Sequence, residues 1–179
     1  CNRPTADAIR HQFDAKIEFH LFETGATFEI NDVVVETFSI PHDAQDPVGF
    51  LLRTASGNFG FLTDLGHTTR LVIERCRSAN VLVLESNHDV KLLQDCVHRP
   101  WSLKQRILSR HGHLSNESAA DAAEQIMSAE LRHLYLGHLS RECNRAELAH
   151  SVMSERLQKI GAKHVALSVA AQDVPCPTL

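Results

Sequence analysis

Val81-Leu82-Val83-Leu84-Glu85-Ser86-Asn87-His88 is the stretch on which the fold turns. Its first four residues are apolar without interruption, the pattern of a strand covered on both faces. Its last four are polar, so the strand ends in a carboxylate, a hydroxyl, an amide and an imidazole. The same change from strand to polar end recurs along the chain. Val33 to Ile40 runs into Pro41-His42-Asp43, Phe59 to Thr63 into Asp64, and His133 to Leu136 into Gly137-His138. Ligand sites on layered αβ proteins collect at strand ends, where loops converge above a rigid sheet.

Outward from that strand, the first half reads as β-hairpins and the second as strands alternating with helices. Thr5 can N-cap a helix to Ala15, with Ile9 and Phe13 on one face. A short strand fits Lys16 to Phe22. Thr27 to Ile30 and Val33 to Ile40 make a hairpin around Asn31-Asp32, and Pro41 stops it. Val48 to Thr54 and Phe59 to Thr63 pair around Ser56-Gly57-Asn58. Helices are expected over Thr68 to Cys76, over Trp101 to Ser109, from an N-cap at Ser115 to Ser128, and from a cap at Asn144 to Ile160. Gly161 ends the last of these, a final strand covers His164 to Ala171, and Pro175 and Pro177 lie in a tail. The order implies a mixed α/β layer fold, with helices covering a sheet, in a single domain over residues 1–179.

The 179 residues are enough to bury a core, and 43% hydrophobic with 22% charged residues is the balance of a folded globular chain. A formal charge of −4 argues against nucleic-acid binding by bulk charge and leaves room only for a local basic patch. No run approaches the length of a membrane span. Cys1, Cys76, Cys96, Cys143 and Cys176 are scattered, with no Cys-x-x-Cys pair, and read as free thiols of a reducing, cytoplasmic compartment.

The chain carries 12 histidines. Imidazole and carboxylate together suit Zn, Mn or Fe, and a carboxylate between two such ions can bridge them. His111-Gly112-His113 is the one His-x-His pair, yet it continues Leu114-Ser115-Asn116 and precedes a helix. It reads as a loop near the site, not as the primary metal motif. Lys104, Arg106 and Arg110 form a locally basic run that could steer a phosphate backbone or simply face solvent. There is no Walker-A loop, no Gly-x-Gly-x-x-Gly and no Gly-x-Ser-x-Gly, which disfavours nucleotide-cradling and serine-hydrolase readings.

Six strings carry a resemblance. They are Ser39-Ile40-Pro41-His42-Asp43-Ala44, Leu62-Thr63-Asp64-Leu65-Gly66, Glu85-Ser86-Asn87-His88-Asp89, the block Pro100-Trp101 through Ser109, Gly112-His113-Leu114-Ser115-Asn116-Glu117, and Gly137-His138-Leu139-Ser140. With them the chain resembles the metallo-β-lactamase superfamily of αββα-sandwich metal hydrolases, and within it the YycJ/WalJ-type exonuclease branch. The resemblance implies two divalent ions, Zn or Mn, with His42 on the first, Asp64 bridging and His138 on the second. It carries His88 and His113 over as branch-typical residues that join Asp64 and His138 as candidates for the chemistry. The superfamily's leading His-x-His-x-Asp-His motif is absent from these residues. The resemblance therefore implies the C-terminal two-thirds of such a domain, its N-terminal part missing, and weak metal binding until that segment is restored. It also implies 5′→3′ attack on DNA ends. The rivals are a hydrolase of small esters, thioesters or phosphodiesters on the same fold, and an inactive fragment acting as a binding module.

Overall fold

The computed structural model describes residues 1–13 and 16–176. The expected end of the first helix at Ala15 and the tail residue Pro177 fall outside them. Seven strands form one sheet in sequence order: β1 (Thr27–Ile30), β2 (Val33–Ser39), β3 (Val48–Thr54), β4 (Gly57–Leu62), β5 (Val81–Glu85), β6 (His133–Gly137) and β7 (Ala166–Val169). β1 to β4 are antiparallel neighbours, and β4 to β7 are parallel. The six helices are α1 (Arg3–Gln12), α2 (Arg70–Cys76), α3 (Val90–Asp95), α4 (Trp101–Ile107), α5 (Asn116–Ile126) and α6 (Ala146–Lys159).

α2, α5 and α6 cover one face of the sheet. Leu51, Leu62, Leu82, Leu84, Leu134 and Leu136 meet Val72 of α2, the alanines of α5 and Met153 of α6 in one apolar cluster. Alternation along the strands drives this, since every second side chain points to the helices. The mixed α/β layering expected from the sequence is present, and the described residues supply one β layer and its helices. Val81 and Val83, however, are only half-buried, so β5 is fully covered on one face alone. The uninterrupted apolar run promised two covered faces.

Other local differences have simple causes. Asn2, not Thr5, caps α1: its side chain accepts from the Thr5 amide at 3.3 Å, and Pro4 needs no such acceptor. Lys16 to Phe22 forms no strand. Phe22 instead stacks on Phe28 and meets Phe50 edge-on, so rings rather than a ladder hold this segment to the sheet. The turn between β3 and β4 tightens to Ala55-Ser56 because Gly57 takes φ +138 and already begins β4. α6 starts after Arg145, and Asn144 is spent elsewhere.

Strand direction places the site. β2 and β4 both pair antiparallel with β3, and β4, β5 and β6 run parallel, so the carboxyl ends of β2, β4, β5 and β6 share one edge. Leu62 is opposite Leu84, Leu84 opposite Leu136, and Glu85 opposite Gly137. These ends therefore finish in step, and His42, Asp64, Glu85 and His138 emerge at one level.

Candidate metal centre

Five side chains converge on that edge. His42, Asp64 and His113 form one group of donor atoms within 4.8 Å of one another, and Glu85, His113 and His138 form a second. His113 belongs to both. The rings of His42 and His113 lie 5.0 Å apart by centroid, and those of His113 and His138 lie 5.2 Å apart. Asp64 Oδ1 is 3.5 Å from His42 Nε2 and 3.8 Å from Nδ1 of both His113 and His138. Three imidazoles and two carboxylates at this spacing fit a divalent transition-metal ion.

Each donor is held by backbone. His42 Nδ1–H donates to the Gly112 carbonyl at 3.0 Å, which leaves Nε2 facing Asp64. Asp64 and His138 have φ of +58 and +56. Such left-handed backbone costs a non-glycine residue about 1 kcal/mol or more, and both residues keep it at the site. Asn87 Nδ2 donates to the His138 carbonyl at 2.9 Å and fixes that turn. His113 arrives on the loop between α4 and α5, which pairs with the end of β5 through Asn87 N–H to Leu114 and Asn116 N–H to His88, both at 2.9 Å. Behind it, Ser86, Asn116 and Asn144 close a buried network in which the Asn144 amide donates to the Ser86 carbonyl at 2.8 Å and to Asn116 Oδ1 at 2.9 Å. The Ser86 hydroxyl donates to Asn116 Oδ1 at 2.7 Å.

Glu85 is the hub. It is fully buried, accepts from the Leu65 amide at 2.6 Å through Oε2, and takes His113 Nδ1–H at 2.6 Å and His138 Nδ1–H at 3.0 Å on Oε1. Burial pushes its pKa up, but the hydrogen bonds from His113 and His138 outweigh burial and hold it below the ordinary carboxylate value. The hydrogen bond to Glu85 raises the pKa of His138. A carboxylate lowered on folding adds stability above its unfolded value, near 4.5, and loses it as pH falls. A raised histidine adds stability below 6.5 and loses it as pH climbs through its higher folded value. The margin of the metal-free chain over its Glu85→Gln variant should therefore peak between about pH 4.5 and 6.5. Paired urea melts at pH 3.5, 5.5 and 8.5, chosen to bracket that window, will check this; a margin that grows steadily to the alkaline end contradicts it.

Gly112 is equally constrained. A Cβ there would lie 2.1 Å from the Ile107 carbonyl oxygen, which also accepts the His113 amide at 2.9 Å. Gly112→Ala should cost about 3 kcal/mol by overpacking and push His113 off Glu85. Urea denaturation and the His113 ring resonances report both effects; a variant with wild-type stability would refute the contact.

Comparison with known proteins agrees with this fold. A Beta-lactamase superfamily domain matches residues 1–139. The chain belongs to the beta-lactamase superfamily. It is 37% identical over 141 residues to the exodeoxyribonuclease YycJ of Bacillus anthracis, covering 79% of this chain and 53% of that protein. It is 39% identical over 138 residues to the exodeoxyribonuclease WalJ of Streptococcus pneumoniae serotype 2, covering 77% and 51%. The chain thus spans about half the length of these superfamily relatives. In fold it is similar to a diphosphatase of the PhnP family (TM-score 0.62, 17% identity, all of this chain and 57% of that one). It is also similar to the metallo-beta-lactamase fold protein YhfI of Bacillus subtilis (TM-score 0.66, 11% identity, 98% and 63%).

Against that superfamily background, the structure brings His42, Asp64, His113 and His138 together and leaves His111 exposed. Three expected residues are not brought in. His88 is in neither donor group: it is buried, neither ring nitrogen has a partner among the described residues, and burial lowers its pKa to about 4. Lys104 is buried and its Nζ donates to the Gln94 carbonyl at 2.6 Å, so it ties α4 to α3 instead of reaching a phosphate. Arg110 meets His67 at 3.1 Å, away from the residues that line the cleft. Arg106 does line it, paired with Asp43, whose pKa the Arg106 hydrogen bond lowers to about 2. Glu85 went unassigned in the sequence, although a carboxylate closing an apolar strand was the available signal. Within the described residues no helix is long and apolar enough to cross a membrane, and all five cysteines are free.

Proposed function

We propose that this chain carries the strand-end half of a metal-dependent phosphodiesterase that removes nucleotides from DNA ends in the 5′→3′ direction, in the cytoplasm. The observation that supports this most is the buried Glu85 carboxylate holding two imidazoles of a five-donor group beside an arginine-lined cleft. The identity with two exodeoxyribonucleases supports the choice of DNA. Two divalent ions, Zn or Mn, would be held by His42, His113, His138 and Asp64, with Asp64 between them. Bound there, they would supply a water acidic enough to attack at neutral pH and charge to stabilise the phosphorane.

The chain's own residues do the rest. Glu85 fixes the tautomer of His113 and His138 by accepting their Nδ1 protons, so each presents Nε2 outward. His113 is the one imidazole shared by both groups, so losing it would weaken both positions at once. Leu65 N–H, Gly112 C=O and Asn87 keep these side chains from swinging.

The test is a substrate panel on the metal-loaded full chain: 5′-labelled and 3′-labelled single strands, a small chromogenic phosphodiester, and a thioester. Stepwise loss from the 5′ end at rates well above those on the small esters is expected. Hydrolysis of the small esters with DNA left intact would replace the nuclease reading by that of a small-molecule hydrolase.

A further inference from the structure

The cleft beside the donor group has a volume of about 730 Å3, and three arginines line it. Arg99 comes from the loop before α4, Arg106 from α4 and Arg141 from the loop after β6. This local concentration runs against the net charge of −4. None of the three is spare. Arg99 Nε donates to Glu142 at 2.9 Å, Arg106 holds both oxygens of Asp43, and Arg141 donates to Asp173 at 3.1 Å and to Gln172.

The outer two pairs are open to solvent: the side chains of Glu142 and Asp173 are 51% and 82% exposed. Ion pairs of that kind contribute little and exchange readily. A backbone phosphate offers a guanidinium fork the same paired oxygens and the same single negative charge as a carboxylate does. The cleft volume is within the range of small-ligand sites, room for a nucleotide or two of one strand.

Resting on the nuclease reading, we propose that Arg99 and Arg141 bind backbone phosphates of a single strand whose end lies at the donor group. Glu142 and Asp173 are the carboxylates those phosphates displace. The acids thus set the affinity: they hold the arginines in place when the cleft is free and compete with the substrate for them.

The test uses the metal-loaded full chain and a fluorescent phosphorothioate oligothymidylate, which resists cleavage, titrated over a range of KCl. Arg99→Gln and Arg141→Gln should each weaken binding several-fold and lower the slope of log Kd against log salt by about 0.7. Glu142→Gln should tighten binding, and the gain should vanish in the double variant with Arg99→Gln, a coupling that a merely structural role would not produce. Thermal melts verify that each variant is folded. Unchanged slopes in folded Arg99→Gln and Arg141→Gln, or weaker binding by Glu142→Gln, overturn the proposal while leaving intact any nuclease activity that depends on Asp64. A chain that neither binds nor cleaves DNA overturns both.

Discussion

Glu85→Leu should destabilise the metal-free protein by about 3 kcal/mol, the cost of removing one partner from a buried charged cluster. It should also weaken divalent-metal binding about 10- to 100-fold, the usual loss when a carboxylate behind a metal-binding histidine is removed. Both effects come from one atom pair. Oε1 takes the Nδ1 protons of His113 and His138, and Oε2 takes the Leu65 amide, in a place with no solvent to substitute. Leucine fills similar space and takes the acceptor away from the Leu65 amide and from the Nδ1 protons of His113 and His138. Glu85→Gln should lie between the two, since it can accept but carries no charge. Urea melts on the metal-free chain and calorimetric metal titrations measure the two losses. Wild-type metal affinity in folded Glu85→Leu would show that the two imidazoles are oriented by something else.

Asp64→Asn should lower turnover by about a thousandfold, or about 4 kcal/mol of barrier, while shifting the unfolding midpoint little. Asparagine tolerates left-handed backbone as well as aspartate does, so φ +58 at this position remains comfortable. The fold therefore has no reason to respond. What changes is the charge between His42 Nε2 and the Nδ1 atoms of His113 and His138, and a neutral amide there neither bridges two cations nor balances them. Turnover on labelled single strands, with bound metal counted by atomic absorption, gives the comparison. Retained turnover with two ions per chain would remove Asp64 from the centre.

The strand-end donors were legible because a strand must stop, and polar residues at the stop have only the sheet edge to occupy. His42, Asp64 and His138 follow from that reading. Glu85 was visible as a residue but not as a hub, because nothing in Val81 to Glu85 shows that two histidines 28 and 53 positions away would turn back onto it. His113 depends on tertiary contact: Gly112 packs on the Ile107 carbonyl, and His88 forms a bridge with Ser115. Local periodicity has no access to either. Lys104 shows the converse error, since a basic helix face looks alike whether its amine meets water or, as here, the Gln94 carbonyl. α3 was missed because it is six residues long with only Leu93 buried, too short for an apolar stripe.

The level finish of β2, β4, β5 and β6 has a consequence for how such a chain can change. Its strand-end donors sit on the last residue of a strand or within the next three, while the arginines of the cleft ride on longer connections. Insertions and deletions in the segments around Arg99 and Arg141 would therefore reshape what the cleft admits without shifting a strand-end donor. Those donors behave as a fixed plate and the loops as interchangeable jaws. Transplanting residues 139–142 between relatives should transfer substrate preference and leave metal stoichiometry alone, so new specificities can arise here without first rebuilding the chemistry.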